Sequence, residues 1–113
     1  MTNKYKKYTD EAKVYDVAKR TPLDYQALLS TRLNNQIYLK REDLQSVFSF
    51  KIRGAYNKLT HLDKKIRDKG IIAASAGNHA QGVAMAAKTL GCKATIVMPK
   101  TTPTIKTNAV RKF

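Results

Sequence analysis

Ile71-Ile72-Ala73-Ala74-Ser75-Ala76-Gly77-Asn78-His79-Ala80-Gln81-Gly82, followed one helix length later by Ala94-Thr95-Ile96-Val97-Met98-Pro99, is the stretch that decides the fold. Ile71-Ile72-Ala73-Ala74 is an apolar run without alternation, the pattern of a strand buried on both faces of a sheet. Residues 75–78 make a tight turn. Val83, Ala84, Ala87 and Leu90 then recur at helical spacing, and Gly91 stands just past them, where a helix end favours a residue free to turn left-handed. Residues 94–98 form a second buried strand, stopped by Pro99. Connections this short predict a right-handed βαβ crossover in a parallel sheet, and so an α/β fold.

Upstream, residues 66–70 lead into the first strand. Ile52, Ala55, Tyr56 and Leu59 predict a helix over residues 49–59 with Ser49 as its cap. Residues 36–40 alternate, with Ile37 and Leu39 on one face, and read as a strand. Residues 25–33 predict a short helix ended by the turn signal Asn34-Asn35. Thr9 is expected to cap a helix with Asp10 and Glu11 in its first turn, and Val14, Val17 and Ala18 fall near one face before Thr21-Pro22 interrupts. Downstream, Thr102 is expected as an N-cap with Pro103 at the first helical position, and Ile105, Ala109, Val110 and Phe113 continue an apolar stripe. Two strands of parallel sheet need further strands and helices to cover them, so residues 1–113 are expected to be a truncated, incomplete domain.

Composition narrows the function classes. The 113 residues are 42% hydrophobic, which suits one small soluble domain. The sequence has no apolar run long enough for a membrane span and no secretory signal, and its early acidic residues speak against a transit peptide. Cys92 cannot form an internal disulfide, which fits a reducing compartment, and it reads as a small buried thiol; a cytoplasmic location is expected. Twenty-two basic against 8 acidic residues give a formal charge of +14, which raises nucleic-acid binding by a small basic protein as a different class of function. The basic residues are scattered from Lys4 to Lys112, with no stacking motif or zinc-ligand spacing beside them. They read as a solvated surface, so neither a nucleic-acid nor a membrane partner is expected. His61 and His79 lack metal-ligand companions and no metal is expected. Neither a G-x-G-x-x-G fingerprint nor a G-x-x-x-x-G-K-[ST] loop is present.

Two segments can carry chemistry. Lys51 stands between Phe50 and Ile52 at a predicted helix start, where desolvation and helix charge favour a neutral, nucleophilic amine. On these grounds it is either a Schiff-base lysine or one more solvated lysine. Ser75-Ala76-Gly77-Asn78-His79-Ala80-Gln81-Gly82 lies at the carboxyl end of a strand and the start of a helix, where open parallel sheets bind ligands. Backbone N–H groups, the helix dipole and the Ser75 hydroxyl make a site for a small anion there, unless the segment is an ordinary glycine-containing turn.

Together, Ser49-Phe50-Lys51-Ile52-Arg53-Gly54-Ala55 and the Ser75–Gly82 segment, in that order and with Lys40-Arg41-Glu42-Asp43 upstream, resemble the fold-type II pyridoxal-phosphate (PLP) enzymes, tryptophan synthase β-like in fold. Within that family the likeness is to threonine dehydratases, and it runs from about Val14 to the end. The resemblance implies that Lys51 carries the cofactor covalently and moves the substrate Cα proton, that Phe50 lies against the cofactor, and that Asn78 hydrogen-bonds its ring hydroxyl oxygen. Ser75, Gly77, Asn78 and His79 would surround the substrate carboxylate. The implied reaction is deamination of threonine to 2-oxobutanoate and ammonia, or of serine to pyruvate, by an enzyme expected to be a homo-oligomer at full length. Val47-Phe48 resembles the biosynthetic enzymes of isoleucine synthesis, whereas catabolic dehydratases and serine racemases tend to carry Thr-Gly there; Ser46 stands where the biosynthetic group commonly has proline. Cysteine and threonine synthases usually carry Lys-Asp-Arg where this chain has Lys51-Ile52-Arg53. In such enzymes the loop for the cofactor phosphate, the residue facing the pyridine nitrogen and any regulatory domain come after the position of Phe113.

Overall fold

The computed structural model describes residues 4–113. In chain order the elements are α1 (Lys4–Asp10), β1 (Leu23–Tyr25), α2 (Ala27–Leu33), β2 (Tyr38–Lys40), α3 (Lys51–Thr60), α4 (Lys64–Arg67), β3 (Ile71–Ala74), α5 (Asn78–Thr89), β4 (Ala94–Val97) and α6 (Thr104–Arg111), with single 3-10 turns at Val14–Asp16 and Glu42–Leu44. β3 and β4 are parallel neighbours, Ile71 opposite Ala94 and Ala74 opposite Val97, with α5 as the crossover between them. This is the βαβ unit that the sequence predicts.

The core lies where α5 and α3 pack. Ile52, Ala55, Tyr56 and Leu59 of α3 meet Val83, Ala86 and Ala87 of α5, and Ala18 and Val47 close the cluster. Each large side chain fully buried here stabilises the fold by about 1.5–3 kcal/mol. Gly91 follows α5 at φ +65°, and its N–H and that of Cys92 return to the carbonyls of Lys88 and Ala87 (3.2 and 3.0 Å). The left-handed C-terminal glycine thus satisfies carbonyls that a helix end otherwise orphans.

Five expectations are corrected. The first helix ends at Asp10 instead of starting there. Asp10 and Glu11 pair back with Lys6 (2.5 Å) and Lys7 (3.7 Å), and the Thr9 hydroxyl donates to the Tyr5 carbonyl (2.9 Å). Residues 23–25 are a strand, so the second helix starts at Ala27; β1 pairs antiparallel with β2, the Tyr25 and Tyr38 rings lie 5.2 Å apart, and Arg41 bridges to Asp24 (3.0 Å). Ser49 is buried and does not cap α3, whose N-cap is Phe50. Pro103 occupies the N-cap of α6 with extended ψ, because the Thr102 N–H already closes a turn onto the Pro99 carbonyl (3.0 Å). Finally, β3 and β4 are covered on one face only. Ile71, Ala73, Ala94 and Ile96 pack toward the helices, while Ile72 is 74% and Val97 51% exposed, with nothing over them among the described residues.

Candidate active site

Lys51 opens α3, and the backbone before it is unusual. Phe48 has φ +54°, in the left-handed region that bulky residues rarely enter, and its N–H closes a turn onto the Gln45 carbonyl (2.9 Å). The turn buries Val47 and Ser49 and leaves Phe48 and Phe50 outside. Phe50 thereby stands at the N-cap with its ring beside Lys51, whose Nζ lies 4.9 Å from the ring centroid. The Lys51 side chain is exposed, so its amine is open to a reactant.

The facing loop starts where β3 ends. The Ser75 N–H still donates to the Val97 carbonyl (3.0 Å), which fixes the loop to β4. The Gly77 N–H donates to Ser75 Oγ (3.3 Å), and Gly77 is the N-cap of α5. Its backbone is extended (φ −125°), so conformation does not require glycine there. A Cβ at Gly77 would meet nothing within 4 Å, so the space beside it is open. The N–H groups of Asn78 and His79 begin α5 and have no acceptor inside the helix. With the dipole of a 12-residue helix behind them they favour an anion.

Gly82 joins the two halves. It is buried in α5 four residues beyond Asn78, one turn (about 6 Å) further along the same side of the helix. A Cβ built there would lie 3.0 Å from both the carbonyl carbon and oxygen of Lys51 and 3.2 Å from the nitrogen of Ile52. The peptide after Lys51 therefore rests directly on α5. Lys51, Phe50 and the head of α5 come together in this way. His79 also lines a neighbouring cavity of about 320 Å³, together with Gly54, Lys58, Ile72 and Val83.

A polar network behind Lys51 has no role in the sequence reading. Arg53 grips Glu42 with two hydrogen bonds, Nε to Oε2 at 2.8 Å and Nη2 to Oε1 at 2.9 Å. Glu42 also accepts from Thr21 Oγ1 (2.7 Å) and Gln45 Nε2 (3.2 Å). The Arg53 guanidinium, helped by Thr21 and Gln45, holds the Glu42 carboxyl down at about 2, although burial pushes it upward; Glu42 in turn raises Arg53. Gln45 is fully buried and clasps the Lys19 backbone, accepting its N–H and donating to its carbonyl, each at 2.9 Å. The Tyr15 ring lies 4.0 Å from the Arg20 guanidinium and 5.2 Å from that of Arg53, whose hydrogen bond and charge lower the phenol. The available signal was an acid and an arginine flanking the apolar turn 47–50, and spacing alone does not say that they meet.

An exposed primary amine beside an aromatic face, a helix N-terminus one turn away and open space at a glycine suit a flat carbonyl cofactor and an anionic substrate. Among the described residues no group of three His, Cys, Asp or Glu could hold a metal. The chain belongs to the pyridoxal-phosphate dependent enzyme family, whose model matches residues 14–113.

Within that family, curated relatives at 55–60% identity are threonine dehydratases, and solved structures at 32–34% identity include serine racemases. The chain is 60% identical over 102 residues to threonine dehydratase 1 biosynthetic, chloroplastic, of Solanum lycopersicum, covering 90% of this chain and 17% of the relative. It is 57% identical over 109 residues to L-threonine dehydratase biosynthetic IlvA of Pasteurella multocida, covering 96% of this chain and 21% of the relative. The processed form of threonine deaminase isoform 2 from Solanum lycopersicum superposes with a TM-score of 0.89 at 52% identity, over 99% of this chain and 32% of that one. The chain thus spans about a fifth of the length of these curated relatives.

Proposed function

We propose that the intact protein is a threonine dehydratase, a PLP-dependent ammonia-lyase that converts L-threonine to 2-oxobutanoate and ammonia as the first step of isoleucine synthesis. The observation that carries this reading is the exposed Lys51 amine at the head of α3, seated one turn from the N-terminus of α5 in a chain 60% identical to a biosynthetic threonine dehydratase. Residues 1–113 are then the N-terminal part of the catalytic domain. PLP, when bound, supplies the electron sink that makes the substrate Cα proton removable. Lys51 would hold the cofactor through Nζ, and the same nitrogen would serve as the base that takes the substrate Cα proton. Phe50 and Asn78 would help hold the cofactor ring, Phe50 through its aromatic side chain and Asn78 through its side-chain amide. Ser75 Oγ and the backbone N–H groups of residues 77–79 receive the substrate carboxylate, with His79 contributing through its main chain. Serine is accepted by the same route and gives pyruvate.

Among the described residues no helix is long and apolar enough to cross a membrane. We read the protein as cytoplasmic and homo-oligomeric, the latter to be measured by sedimentation. The decisive experiment is Lys51→Ala in the intact protein. The expected result is loss of 2-oxobutanoate formation by about 10³-fold or more, as for removal of a nucleophile that also acts as base. Near-normal turnover would sink the assignment.

A further inference from the structure

Gly82 lies in the interior of α5, where alanine is the better helix former, and its neighbours Ala80, Ala84 and Ala86 show that the rest of the helix is built that way. It is the only one of the five glycines whose added Cβ would fall within 3.3 Å of another atom. The atoms it would meet are the carbonyl carbon and oxygen of Lys51 and the nitrogen of Ile52, all in one peptide unit. Carbon atoms in contact prefer about 3.5–4.0 Å, so that peptide would have to move by several tenths of an ångström. The Lys51 side chain is exposed and its amine lies beside the Phe50 ring, itself 57% exposed, so the place of the amine is set largely by the backbone that carries both residues. That backbone rests on Gly82.

We propose that Gly82 is a positioning residue for Lys51: its missing side chain seats the Lys51-Ile52 peptide against α5 and thereby fixes the amine relative to the anion-binding head of that helix. The inference rests on the reading of Lys51 as the cofactor lysine. It is specific, because an alanine at Gly82 shifts the first turn of α3, whereas packing losses elsewhere in α5 weaken the fold without pushing on Lys51.

The test uses the intact protein and compares Gly82→Ala with Ala86→Gly, which removes a buried methyl from α5 one turn further on. PLP affinity is read by titrating visible absorbance, the attached lysine by borohydride reduction and peptide mapping, and stability by melting of the cofactor-free protein. Gly82→Ala is expected to weaken PLP binding about tenfold or more and to lower the fraction trapped on Lys51, since sub-ångström misplacement of a reacting group is costly. Ala86→Gly, at an equal or larger drop in melting temperature, is expected to stay within about threefold of the parent. Equal affinities in the two variants would overturn the inference. Reduction of the parent protein onto a lysine other than Lys51 would instead overturn the reading on which it rests. If Gly82→Ala does not fold, Ile52→Val decides: it loosens the same peptide by one methyl and is expected to cost about two- to fivefold in PLP affinity beyond Ala86→Gly, and parity between those two rejects the inference.

Discussion

Phe48 shows what a single residue contributes to this site. Its φ of +54° costs a bulky side chain about 1–2 kcal/mol, and the turn it completes sends Val47 and Ser49 inward while Phe50 and Lys51 emerge. A glycine at position 48 would meet the same backbone requirement without strain. Phe48→Gly is therefore expected to change stability by less than about 1 kcal/mol, relief of strain offsetting the added freedom of the unfolded chain. Phe48→Val, β-branched at a positive φ, is expected to cost about 1–2 kcal/mol more than Phe48→Gly. Urea unfolding of the intact protein checks both, and a loss of several kcal/mol in the glycine variant would show that the exposed ring packs. At this scale the sequence offers candidates for chemistry and hides their geometry. Lys51 and the Ser75–Gly82 segment stand out by residue type, while the roles proposed for Phe50 and Asn78 come from the family resemblance. Nothing in the letters says that Phe48 is left-handed, that the Ser49 hydroxyl is buried without a partner among the described residues, or that Gly82 touches the Lys51 peptide.

Between elements, the Glu42–Arg53 pair decides how firmly α3 is tied to the segment before it. Both side chains are mostly buried, at 14% and 22% exposure, so the pair is neither a surface ornament nor a charge pair fully removed from water. The Glu42 carboxyl sits at about 2 in the fold against an ordinary 4.5, so the folded state favours its ionised form. That contribution is fully present above pH 4.5 and is lost as the pH falls toward 2; the shift corresponds to about 3 kcal/mol. Glu42→Gln is expected to destabilise the intact protein by about 2–3 kcal/mol at pH 7, leaving Arg53 half-buried without its counter-charge. Denaturant titrations at pH 7 and pH 3 should show the gap between variant and parent narrowing at the lower pH; a gap that does not change with pH would mean that the carboxylate charge is not what binds α3 here. Helical periodicity found α3 and α5 because each buries one face, and the two parallel strands were found as apolar runs without alternation, although only one of their faces is covered. Both signals missed β1 because three residues are too few for a pattern, and that strand is fixed by partners across the chain, Tyr38 and Arg41.

The whole molecule carries more surface than its mass requires. A compact chain of 12.7 kDa exposes about 6,200 Å², and this one exposes 8,440 Å². Its radius of gyration is 16.9 Å where about 13 Å suits a globule of this length, and it is a slab 51 by 46 by 19 Å. Part of the excess is apolar and organised: Ile72 and Val97 on one face of the parallel sheet, with Leu28 and Ile105 90% and 79% exposed on helices. A parallel sheet left open on one face lacks the burial that such sheets ordinarily have, and the apolar area left in water cannot offset the entropy of ordering the chain. The 113-residue chain expressed alone is therefore expected to melt without a cooperative transition, to bind a hydrophobic dye, and to hold PLP at least about 100-fold more weakly than the intact protein, having only the Lys51 and α5 side of the site to offer. Calorimetry and a PLP titration on that chain decide the matter. A sharp heat-absorption peak with tight PLP binding would mean that the α3–α5 core suffices by itself, and that the open sheet face costs far less than its exposed area implies.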